Sequence, residues 1–203
     1  MKFYRQTTNY TCGPSCVLMI LNSFWPKRFP LNKDNEHKIW LRTTNPLIRG
    51  CPDFALAKFL EDSGLKTKII HLKEFSPDNY VRRFIKPKDY QAYYASNLFH
   101  KKQALKGGVK FEKRKIRFEE LKNWLIKYDF IILLVEVKTL HKKSKNYHLH
   151  WILLNEYKNK KFLVYDPWRK KSWISERLLK SAFDNVRNKI KADNRAILIK
   201  LIK

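Results

Sequence analysis

The sequence predicts an α+β fold with helices packed on an antiparallel sheet. Three observations predict it. Apolar residues recur at helical spacing early in the chain, short apolar runs bounded by polar turns cluster late, and the runs at 148–154 and 162–165 are joined by a Lys- and Asn-rich turn that makes them a hairpin. A doubly wound parallel sheet would require strand and helix to alternate throughout.

The elements follow in order. Cys16, Val17, Ile20, Leu21 and Phe24 trace one helical face over 15–25, and Pro14 suits a first turn, where its missing N–H is not needed. A second helix is expected over 34–42 and a third over 52–63, which Gly64 terminates. A strand follows at 66–72. Residues 76–108 read as polar and partly helical, with a break at Gly107-Gly108. A helix at 119–126 then leads into an apolar strand at 130–137 and a basic loop at 140–146. After the hairpin, a helix at 175–186 and an alternating strand at 195–202 close the chain.

Length and composition set limits. With 203 residues, 44% hydrophobic and 14% aromatic, the chain suits one domain with a substantial core and not a disordered polymer. The longest apolar runs, 16–21 and 130–135, are far short of the roughly 20 residues needed to span a bilayer. No membrane span is expected, and the first residues lack the apolar centre of a signal peptide, so a cytoplasmic location is expected. Three cysteines do not suggest a disulfide framework, and no CxxC or HExxH spacing suggests a metal site; no cofactor is implied. The charge is strongly unbalanced: 44 Lys and Arg against 18 Asp and Glu, a formal net of +26. Such a field favours an acidic protein, a nucleic acid or another polyanion as partner, although compositional bias toward Lys, Asn, Ile and Tyr is the simpler source. The densest basic stretch runs from His100 to Arg117.

Two clusters carry candidate chemistry. In QTTNYTCGPSC, Cys12 stands at the expected start of a helix, where unpaired N–H groups favour thiolate. Gly13 leaves room beside it for a substrate backbone, the Cys12 N–H faces a developing oxyanion, and the Gln6 side chain offers a second donor. By itself Cys12 reads first as a buried structural thiol; Cys16 follows the apolar face, and Cys51 packs at another helix start, with a reactive thiol there as the alternative. The second cluster is the hairpin YHLHWILLNEYKNKKFLVYDPW. Counting outward from a turn centred near Lys158–Asn159, His150 lands opposite Asp166 within a residue or so, and cross-strand Cβ atoms lie roughly 4.5–5.5 Å apart. A carboxylate there fixes the imidazole tautomer and favours the imidazolium. A surface His–Asp pair without function remains the alternative. His148, two residues earlier, is a rival base, and Asn146 a remote alternative orienter.

Taken together, Gln6, Cys12-Gly13 with its apolar helix, His150-Trp151 and Asp166-Pro167 resemble the bacteriocin-processing, double-glycine leader cysteine peptidases, as does the stretch EHKIWLRTTNPLIRGCPDFALAKFLEDSGL with respect to stand-alone members. The resemblance covers roughly residues 5–72 and 147–168. It implies a papain-like domain over 1–203, with 76–118 as a candidate basic insertion lining or covering a cleft. It implies a cysteine peptidase acting on a peptide or protein substrate through an acyl-enzyme. Cys12 would be the nucleophile, His150 the base, Asp166 its orienter and Gln6 the oxyanion donor. Acyl transfer by the same triad, and polyanion binding on a peptidase scaffold, are the competing readings. No transporter segment follows, so a secreted bacteriocin leader is a doubtful substrate.

Overall fold

A computed structural model describes residues 1–73, 81–141 and 148–201. Helix α1 (Cys12–Phe24) leads into α2 (Lys33–Thr43), α3 (Asp53–Asp62) and strand β1 (Leu65–His71). After two short 3-10 turns come α4 (Tyr90–Lys106), β2 (Lys110–Lys113), α5 (Glu120–Lys127) and β3 (Phe130–Glu136). A single turn, α6 (Val137–Leu140), is followed by β4 (Leu149–Lys158), β5 (Lys161–Tyr165), β6 (Lys171–Ser175), α7 (Glu176–Asn188) and β7 (Ala196–Leu201). The strands form one sheet in the order β2-β1-β7-β3-β4-β5-β6.

The sheet is antiparallel except at one edge, where β2 runs parallel to β1. Its central strands are covered on both faces, which explains their unbroken apolar sequences. Along β3, Ile132 and Leu134 join the core beneath α1 and α3, whereas Ile131, Leu133 and Val135 join the core beneath α5 and α7. Helix α1 is buried from Gly13 through Asn22, so it is apolar nearly all round.

Several expectations shift. The turn falls at Asn159-Lys160, where both residues adopt positive φ (51° and 55°) and Lys158 pairs with Lys161, a two-residue hairpin turn. A bulge between Leu154 and Glu156 then resets the register so that Leu153 faces Tyr165. Continued by one residue, that register sets Asp166 against Ile152, two residues from His150; the period of two keeps the pair on one face. The partly helical stretch supplies α4, which ends at the Gly107-Gly108 break as expected, and the edge strand β2 follows, which polarity and brevity concealed. Edge strand β6 was also missed, because it exposes alternate residues and only Trp173 and Ile174 of its five residues are apolar. Residues 76–80 of the candidate insertion, Asn146 and most of the basic loop lie outside the described residues.

Candidate active site

Cys12 is the first residue of α1, partly exposed at the point where that helix meets β4. Burial pushes its thiol pKa up, but a hydrogen bond with His150, the charge on that ring, and the main-chain N–H groups of Trp151 and Gly13 outweigh it, so the pKa lies below the usual thiol value. His150 is buried on β4. Burial disfavours its imidazolium, yet Asp166 and Cys12 more than compensate and raise its pKa to about 10. The two shifts describe one thiolate–imidazolium pair.

Asp166 lies just past the end of β5 and is 2% exposed, so its charge must be met inside the protein. Its Oδ1 is 2.8 Å from Nε2 of His150 and accepts the Trp168 N–H at 2.9 Å. With Nε2 on the carboxylate, Nδ1 is the ring atom left for the thiol. The other oxygen, Oδ2, is 2.6 Å from Nε2 of His141. Burial would raise the carboxyl pKa, but His141 and then His150 hold it well below the usual range. The Trp168 ring stands edge-on to both imidazoles, with centroids 5.9 Å from His150 and 6.4 Å from His141.

Gln6 reaches this corner from the N-terminal segment. Its main-chain N–H donates to the Pro167 carbonyl at 2.9 Å, which ties its backbone to the residue after Asp166. Its side-chain Nε2 donates to the Thr8 carbonyl at 2.6 Å, which leaves one N–H of the amide for another acceptor. The segment is clamped by Glu36, a fully buried carboxylate of α2 that the sequence reading passed over. Glu36 accepts from Tyr4 Oη (3.0 Å), Thr7 N (3.0 Å), Thr7 Oγ1 (2.6 Å) and, across to α1, Ser15 Oγ (3.0 Å). One acid thus joins the Gln6 segment to the Cys12 helix. An acidic residue in the first turn of α2 is common for helix-dipole reasons, so nothing in the sequence marked it.

Gly13 corrects the sequence reading. A Cβ there would meet Leu56 Cδ1 at 2.8 Å and Trp151 Cδ1 at 3.2 Å. The glycine lets α1 close onto α3 and β4, and the space beside it is filled by the protein, not kept for substrate. Of the other cysteines, Cys16 packs in the core with Sγ directed at the Trp151 carbonyl (3.6 Å), and burial pushes its pKa well up. Cys51 is buried with Thr43 Oγ1 donating to its sulfur at 3.3 Å, and burial raises its pKa too. His148 lies ahead of β4 on the wall of a cleft of about 420 Å³ that opens beside Cys12. Val81, Phe84, Tyr93 and Asn97 line the same cleft. Among the described residues, no group of three or more His, Cys, Asp or Glu could hold a metal, and no helix is long and apolar enough to cross a membrane.

The architecture is the papain-like α+β peptidase fold, with an N-terminal helical layer against a seven-stranded sheet. The chain belongs to the Peptidase_C39 like family, whose sequence model matches residues 1–199. Among solved structures it is similar to a double glycine motif protease from an AMS/PCAT transporter, crystallised in complex with the leader peptide. That likeness has 13% identity and a TM-score of 0.53, and it covers 99% of this chain and 91% of the other. No curated protein matches the sequence.

Proposed function

We propose that this protein is a cysteine peptidase that hydrolyses a peptide or isopeptide bond through an acyl-enzyme. The observation that carries the reading is the coupled pair at Cys12 and His150: one pKa is lowered and the other raised, beside an ionised Asp166. The thiolate of Cys12 attacks the scissile carbonyl carbon. The oxyanion is met by the Cys12 main-chain N–H at the helix start and by the remaining amide N–H of Gln6. His150, already an imidazolium, gives its proton to the departing amine, leaving a thioester on Cys12. Neutral His150 then takes a proton from water, whose oxygen attacks the thioester; the acid leaves and the thiolate–imidazolium pair returns. Asp166 keeps the ring turned with Nε2–H inward throughout.

The cleft beside Cys12 is where the substrate would lie, and a leader peptide of the kind bound by the similar double glycine motif protease is the first peptide to try. We read residues 1–203 as one domain whose 76–118 segment, from Val81 onward, helps wall that cleft. Three cysteines without a disulfide suit a reducing, cytoplasmic setting.

The test is thiol labelling with iodoacetamide near neutral pH, mapped by mass spectrometry. Modification at Cys12, sparing Cys16 and Cys51 and lost in His150→Ala, is expected. Cleavage of a double-glycine leader peptide, abolished in Cys12→Ala, would follow. Equal labelling of all three cysteines, or unchanged Cys12 labelling in His150→Ala, would overturn the reading.

A further inference from the structure

Asp166 serves two imidazoles, although a Cys–His–Asp centre uses one. The second, His141, occupies Oδ2 at 2.6 Å, while His150 and the Trp168 N–H share Oδ1. His141 is held in place from behind. It ends the α6 turn with its N–H on the Val137 carbonyl at 2.8 Å. That turn is capped by the buried Glu136 carboxylate, which accepts from Lys138 N and from Thr139 N and Oγ1. Asn185 of α7 then donates to Thr139 Oγ1 at 2.9 Å. A buried cap and a helix contact thus fix where this imidazole stands.

We propose that His141 is a positioning residue for the candidate active site, holding the second oxygen of Asp166 so that the first stays on His150. This rests on the peptidase reading above. A carboxylate held through one oxygen can turn about its Cβ–Cγ bond; one held through both cannot. Asp166 also borders, with His141, a separate cleft of about 560 Å³ whose wall includes Arg169, Lys170, Ser172 and Leu178. Without His141, water reaches Oδ2 from that side. A solvated, freely turning carboxylate stabilises the His150 imidazolium less, and with it the Cys12 thiolate. His141 therefore acts through Asp166 and His150 and touches neither thiol nor substrate. Among the described residues lining that cleft, the other charged groups are Arg169 and Lys170, from the loop between β5 and β6.

The test compares His141→Phe, which keeps a ring against Trp168 but has no donor, with His141→Gln, whose amide N–H reaches about as far as Nε2. The rate of iodoacetamide alkylation at Cys12 is measured against pH, and kcat and KM on any peptide the wild type cleaves; circular dichroism and Tm check folding. His141→Phe is expected to move the inflection of the alkylation profile to higher pH and to lower kcat roughly tenfold to a hundredfold at unchanged KM, the range for residues that orient a reacting group from behind. His141→Gln is expected to recover most of both. A His141→Phe profile superimposable on wild type, or a His141→Gln variant as impaired as His141→Phe, overturns the proposal. Wild-type Cys12 no more reactive than Cys12 in His150→Ala would instead overturn the peptidase reading itself.

Discussion

Among the described residues, two buried aspartates, Asp166 and Asp53, each stand beside a buried imidazole, and the two rings, His150 and His71, are driven in opposite directions. At Asp166, the imidazole of His150 is 2.8 Å away and its pKa is raised to about 10. At Asp53, the first residue of α3, Nε2 of the fully buried His71 is 3.5 Å from Oδ2 and its pKa is lowered. Burial is the largest influence on both rings and pushes both down. Two things differ: Asp166 hydrogen-bonds its ring at 2.8 Å, whereas Asp53 acts on His71 by charge across 3.5 Å, and a third group stands at each site. Asp53 Oδ2 also meets the Arg195 guanidinium at 3.2 Å, so its charge is already matched by a permanent cation, which repels a second one on His71. Asp166 has no guanidinium on it among the described contacts; its partners are imidazoles and a main-chain N–H, and the thiol of Cys12 waits on the far side of His150. An imidazole beside a carboxylate is therefore not enough to make a proton donor. The hydrogen bond to the carboxylate matters, and so does whether the next neighbour is a cation or a group that can become an anion.

The contrast can be broken most severely by deleting either imidazole. His150→Ala and Cys12→Ala should each lower turnover on the order of 10⁴-fold or more, as for loss of a member of a covalent triad. His71→Ala should leave Cys12 alkylation unchanged, although Tm falls because a buried ring is lost. Equal loss of Cys12 reactivity in both histidine variants would erase the distinction. Gln6→Ala should cost on the order of a hundredfold in kcat, the scale of one oxyanion donor, with Cys12 alkylation kept because the ion pair is untouched; an unaffected kcat would remove Gln6 from the centre. Next comes pH. With the thiol lowered and His150 raised, the reactive pair exists above the Cys12 pKa and below about 10. Alkylation should climb on the acid side of the ordinary thiol value of roughly 8.5 and hold level through neutrality; a rise only above that value would contradict the pairing. The smallest effect is the sharpest for the comparison. Arg195→Met removes the cation from Asp53, and the His71 ring, followed by NMR, should then titrate at higher pH. A His71 titration that stays in place would show that burial alone sets it.

Some of this was legible in the primary structure for plain reasons. The α1 helix, the apolar strand β3 and the hairpin were readable because each depends on local periodicity or turn chemistry. Cys12, His150, Asp166 and Gln6 were singled out through their types, their order and a family resemblance, and the structure sets the first three in one hydrogen-bonded chain, with Gln6 tied to it through Pro167. The exact register was not readable, because the bulge after Leu154 has no signature in a run of aliphatic residues. Gly13 was read for the wrong reason, since its neighbours Leu56 and Trp151 come from remote elements. His141 reads as part of a basic loop and Glu36 carries no signal at all, because their partners lie 25 and 21 to 32 positions away.

Sequence alone settled what repeats within a few residues: the strongly periodic helices and apolar strands, that the core is large, that the net charge is +26, and which side chains have reactive chemistry. Tertiary structure decided what those side chains become. The Cys12 thiol pKa is lowered, that of one imidazole is raised and that of another lowered, according to which charges the fold brings within a few ångströms and away from water. That outcome depends on burial and on partners far off in the chain, and Coulomb interaction in a poorly screened interior makes those neighbours, not the residue's own type, the deciding influence.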